Sequence, residues 1–207
     1  MFGAIFHGFI LALGLILPLG VQNVFVFNQG ALQPRFIKAM PAIITAALCD
    51  TLLVSLAILG VSVVVLQYEW ISILLYSVGI CFLIYMGFIT WKSKPAEKKQ
   101  SAAESITTRK QIIFALTVSL LNPHAVLDTV GVIGTSSIKY IGADKIAFAA
   151  SCIIVSWLWF AGLGIAGRAA GRRDQSGRLL AVVNTISALI MWGTALFLGY
   201  SLFQLLI

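Results

Sequence analysis

Charge is scarce in this chain. Asp, Glu, Lys and Arg together make up 10% of 207 residues, and none occurs before Arg35. With 60% hydrophobic residues and a mean hydropathy of +1.01, that scarcity excludes an ordinary soluble globular domain. Cysteine occurs three times, at Cys49, Cys81 and Cys152, each isolated in apolar context, and histidine only twice. No CxxC pair or metal-ligand spacing forms, so no metal site or dithiol centre is expected, and the cysteines read as small core residues. A Walker-type glycine loop is also missing, which argues against an ATPase. No catalytic group and no cofactor are expected. The net charge of +7 would suit nucleic acid, but the basic residues lie in short loops between apolar runs. That is the pattern of a cytoplasmic membrane face, so the expected surroundings are a lipid bilayer and no nucleic acid. The N-terminus lacks a positive n-region, and its apolar run continues too far for a cleaved signal, so it reads as a span.

Six apolar runs are present, roughly Phe2–Phe27, Ala39–Leu66, Trp70–Trp91, Ile112–Ser137, Ile146–Gly167 and Leu179–Ile207. Each is near or above the about 20 residues that a helix needs to cross a bilayer, and unbroken runs of this length do not suit barrel strands. The expected fold is therefore an all-α integral membrane bundle of six transmembrane helices. Twelve of the fourteen basic residues fall in the first, third and fifth loops, leaving only Lys139 and Lys145 elsewhere. This asymmetry places the odd-numbered loops in the cytoplasm and both termini outside; were the first run only a re-entrant hairpin, the N-terminus would instead be inside. The polar linker, residues 92–111, joins a first repeat of about 1–91 to a second of about 112–207. Three spans per half make the halves antiparallel, an inverted-repeat architecture within one transporter domain. Trp70 and Trp91 sit at span ends as interface anchors, and Trp157 and Trp159 either pack in the fifth span or line a path. Gly162, Gly164, Gly167 and Gly171 have the small-xxx-small spacing of close helix contact or a homodimer.

Two polar, helix-breaking clusters interrupt the runs at corresponding places. The first is Leu17-Pro18-Leu19-Gly20-Val21-Gln22-Asn23, the second Leu121-Asn122-Pro123-His124. Pro18 and Pro123 each remove a backbone donor, and Gly20 adds freedom. Such breaks are either packing kinks or, because irregular backbone survives in a membrane only when buried or lining a wet cavity, a binding site. Their recurrence in both halves favours the site, with the first and fourth helices broken around it. Two acidic residues fall mid-span, Asp50 and Asp128. An aspartate at a helix centre costs about 2.5 to 3.5 kcal/mol on insertion scales, so each calls for a role. Helical spacing puts Ala46, Ala47 and Ala57 beside Asp50, a small face suited to close helix contact, and puts His124 one turn before Asp128. Two carboxylates in an apolar bundle attract a cation, take up protons, or do both in alternation. Structural interhelical hydrogen bonds are the alternative.

The run Leu17-Pro18-Leu19-Gly20-Val21-Gln22-Asn23-Val24-Phe25-Val26-Phe27-Asn28-Gln29-Gly30 resembles the first-span signature of the lysine/arginine exporters in the LysE superfamily. Leu121-Asn122-Pro123-His124-Ala125-Val126-Leu127-Asp128-Thr129 resembles its fourth-span signature, and Cys49-Asp50-Thr51 sits where the family has a second-span aspartate. The family usually has a further proline before the glutamine, where this chain has Val21, so the break is expected to be milder. The resemblance implies a secondary transporter of the bacterial cytoplasmic membrane that exports basic L-amino acids by proton antiport or membrane potential. Export of neutral amino acids or of metal cations is the alternative. Asp50, Asp128, Gln22, Asn23, Asn122 and His124 are the expected substrate and proton-coupling residues, with Gln22, Asn23 and Asn122 giving neutral hydrogen bonds.

Overall fold

The computed structural model describes residues 1–17, 20–60, 69–92, 107–120, 126, 129–173 and 178–206, and every regular element among them is helical. In order these are α1 (Phe2–Ile16), α2 (Val21–Leu32), a 3-10 turn (Phe36–Lys38), α3 (Met40–Ile58) and α4 (Glu69–Lys92). They are followed by α5 (Thr108–Leu120), a π-helical turn (Thr129–Ile133), α6 (Gly134–Ser137), α7 (Ala143–Arg173) and α8 (Arg178–Leu206). Their boundaries follow local chemistry. Pro41 occupies the first turn of α3, where its missing N–H costs nothing, and Gly60 follows the last turn with φ +93, a left-handed stop.

The first apolar run is broken, as expected. α1 ends at Ile16, Gly20 adopts an extended conformation with ψ 175, and α2 starts at Val21, bent from α1 by 80°. Pro18 itself lies outside the described residues. In the fourth run α5 is described to Leu120 and the π turn from Thr129, so the second expected break lies outside the described residues. Asn122, Pro123, His124 and Asp128, and linker residues 93–106, lie outside the described residues. Among the described residues three helices, Met40–Ile58, Ala143–Arg173 and Ala181–Gln204, are long and apolar enough to cross a membrane, or four with α1 and α2 counted as one span. Large apolar side chains cover the outer faces, among them Phe6 and Phe9 of α1, Leu52 of α3, Leu158 of α7 and Phe197 of α8. Such a belt suits lipid rather than water.

The long α7 is the spine of the bundle. The N-terminal ammonium pairs with Asp144 at its start at 2.6 Å, Ser151 donates to the Ile5 carbonyl at 2.8 Å, and Cys152 to that of Gly8 at 3.5 Å. Farther along, Trp159 reaches Asn23 at 3.2 Å, and Arg168 holds the Gln33 and Pro34 carbonyls just past α2. The first run thus travels parallel to α7 from one end to the other, despite its bend. This is a traverse and not a hairpin that returns to its starting side. At 1.5 Å per residue the 31 residues of α7 extend about 46 Å, enough for a full crossing. The packing relies on glycine. A methyl group at Gly167 would strike the Phe27 carbonyl, one at Gly171 the Ala31 backbone, and one at Gly164 the side chain of Ile43. Three of the four glycines noted in the sequence are therefore used within the chain, while Gly162 meets nothing. α3 runs antiparallel to α7 with Ala46 and Ala47 fully buried near Val26 and Phe160, and α4 packs on α8.

Candidate functional site

The break between α1 and α2 opens onto a cavity of about 140 Å³, lined by Gly20, Val21, Gln22, Asn23, Asp50 and Ser156 and closed by apolar residues of α1, α4 and α8. Each polar group is there for a local reason. Ending α1 leaves its last carbonyls without helical donors, and starting α2 leaves its first amides without helical acceptors. Asn23 meets the first need, because its side-chain amide donates to the Ile16 carbonyl at 2.8 Å. Gly20 offers no side chain to cap α2, so the positive end of that half-helix, residues 20–23, faces the cavity.

Asp50 sits near the middle of α3, on the small face formed with Ala46 and Ala47, which lets α2 and α7 approach it. Gln22 donates to its Oδ1 at 3.2 Å and to the Ala46 carbonyl at 3.5 Å, and Ser156 of α7 donates to its Oδ2 at 3.0 Å. Both carboxylate oxygens are thus held by neutral donors. Among the described residues no Lys, Arg or His pairs with Asp50 or lines the cavity. A carboxylate held in an apolar bundle by neutral donors can take up a cation or a proton. Trp159, one turn after Ser156, donates to Asn23 Oδ1 at 3.2 Å, and Trp157 donates to Thr51 at 3.1 Å.

Of the residues expected from the sequence, Gly20, Gln22, Asn23 and Asp50 come together here. Asp128, Asn122, His124, Pro18 and Pro123 lie outside the described residues, although Thr129 lines the cavity. The sequence reading missed Ser156, and it left Trp159 undecided between packing and a path. A serine inside the fifth apolar run was the available signal, and only the packing of α7 on α2 and α3 gives it meaning. Among the described residues no group of three His, Cys, Asp or Glu side chains is placed to hold a metal ion.

A family model described as LysE type translocator matches residues 13–202. The chain is 54% identical to "Putative amino-acid transporter YisU" of Bacillus subtilis, over 97% of this chain and 90% of that one. It is 33% identical to "Arginine exporter protein ArgO" of Escherichia coli, over 95% and 93% of the two chains. ArgO of Salmonella typhimurium is 34% identical over 90% and 89%. No solved structure matches the chain. The chain belongs to the LysE family of membrane amino-acid translocators, which are multi-pass helical transporters and not enzymes.

Proposed function

We propose that this protein exports a basic L-amino acid, lysine or arginine, from the bacterial cytoplasm, coupled to inward protons or to the membrane potential. The observation that carries the reading is Asp50: a carboxylate at mid-depth in α3, gripped by Gln22 and Ser156 and open to a cavity without a counter-ion among the described residues. The exporter ArgO relatives support the basic substrate.

The substrate has a carboxylate at one end and a cation at the other. The start of α2, which has no side-chain cap, suits the carboxylate, and Asp50 suits the ammonium or guanidinium. Gln22 and Asn23 add neutral hydrogen bonds that orient it without adding charge. Asp128 precedes the cavity-lining Thr129 and is the second carboxylate of the proposed site, with Asn122 and His124 beside the second break. The arrangement fits two inverted repeats, with the basic loops in the cytoplasm. A proton and a cationic substrate compete for the same carboxylate, so binding of one releases the other. Transport then alternates between states in which the site opens to opposite faces. Asp50 lacks the metal-ligand neighbours that a metal-cation exporter requires among the described residues.

Proteoliposomes assayed with labelled amino acids test this reading. Lysine or arginine should exchange, with flux that responds to a pH gradient. Exchange of neutral amino acids alone would replace the basic-substrate reading with the neutral-exporter one.

A further inference from the structure

The α2–α8 seam carries a second polar feature away from the Asp50 cavity. Val21 of α2 and Met191 of α8 belong to one packed cluster, and both line the cavity. Seven residues along each helix, in opposite chain directions, Asn28 Nδ2 donates to Asn184 Oδ1 at 2.9 Å. The equal offsets show that the two helices run antiparallel here. A seven-residue step returns to the same helix face, so Asn28 and Asn184 lie on the same α2–α8 seam, about 10 Å beyond the cavity. They lie toward the end of the bundle where Arg168 holds the carbonyls of Gln33 and Pro34. Between them along α8, Ser187 and Ala188 are small and fully buried. Asn184 is buried too, and the Asn28 Oδ1 oxygen is enclosed by protein yet accepts no hydrogen bond. An unpaired buried acceptor is costly, and in a bundle this apolar it persists where a donor visits it.

We propose that Asn28 and Asn184 form a second binding station for the cationic end of the substrate, between the basic loops and the Asp50 cavity. This rests on the basic-amino-acid reading of the Asp50 site. In the state where the α2–α8 seam opens toward the basic loops, Asn28 Oδ1 accepts from the ammonium or guanidinium, and Asn184 holds the Asn28 amide in place through its Nδ2. A neutral amide suits a station of passage: it compensates the donor N–H groups without the grip of a carboxylate, and the substrate moves on to Asp50, where charge retains it.

The test measures arginine transport in membrane vesicles of each orientation. Asn28→Ala should raise KM for arginine about tenfold when it is presented from the basic-loop side, the effect of losing one hydrogen bond to a charged group. KM from the opposite side should stay unchanged. Asn28→Asp, which keeps the shape and strengthens the acceptor, should instead lower KM from the basic-loop side and slow turnover; it also serves if the alanine variant fails to insert. An equal KM rise from both sides, or no change in KM with either variant, overturns the station and makes the amide pair a packing contact. Asp50→Asn in the same vesicles separates the two ideas: retained arginine flux there would remove the Asp50 reading, whatever Asn28 does.

Discussion

Replacing Asp50 by Asn separates transport from folding. The exchange keeps the side chain's size and one acceptor oxygen, so Gln22 still finds a partner at the position of Oδ1, now 3.2 Å away. Ser156, now donating at 3.0 Å, has a rotatable hydroxyl that can turn and accept from the new amide. Both local contacts survive as neutral hydrogen bonds, and the stability loss should be about 1 kcal/mol. The cation loses its only counter-charge among the described cavity-lining residues. A hydrogen bond to a charged group is worth about 1.5–3 kcal/mol, so binding should weaken about ten- to hundredfold. The share of the pH response that Asp50 carries should be lost too, since an amide does not titrate in the working range. The assay is labelled lysine and arginine flux in proteoliposomes over a pH series, with gel filtration in detergent to confirm a folded population. Full, pH-responsive flux in Asp50→Asn would refute the role given to this carboxylate.

Other expectations follow from the packing and the charges. Gly167→Leu pushes a side chain into the Phe27 backbone and should cost at least 1–3 kcal/mol, seen as a lower detergent melting temperature. Gly162→Leu, which meets nothing, is the neutral control; equal effects would show that the α2–α7 contact is not what Gly167 provides. Trp159→Phe removes the donor to Asn23 Oδ1 at 3.2 Å and should slow flux about fivefold at normal protein level, the effect of about 1 kcal/mol. Unchanged flux would make Trp159 a packing residue only. In intact cells without native cysteines, a cysteine at Lys139 should label from outside and one at Lys38 should not; the reverse pattern would invert the topology drawn from the basic loops.

Much of this protein is legible in one dimension, because a bilayer imposes one-dimensional rules. Apolar runs of sufficient length, with no polar alternation, mean helices, since backbone groups in hydrocarbon must be satisfied within the segment. A break at Leu17–Val21 and an acid at Asp50 are exceptions to those rules, and exceptions stand out in a string of letters. The family followed from the wording of the two breaks, which a model matching residues 13–202 bears out.

Partnership was decided only in three dimensions. Nothing in the spacing of Gln22, Asp50 and Ser156 says that they meet, because they sit on three helices joined by separations of 28 and 106 residues. Their meeting depends on how closely α7 approaches α2 and α3, and that approach depends on glycines at 30, 164, 167 and 171 being spent inside the chain. The same glycine spacing read alone serves a homodimer equally well. Asn28 and Asn184 show the limit most plainly: each is one more amide in an apolar run until the antiparallel register of α2 and α8 joins them at 2.9 Å. Sequence period fixes which residues share a face of one helix. Which face of another helix lies opposite is set by the packing of both, and the chemistry of a site belongs to the pair.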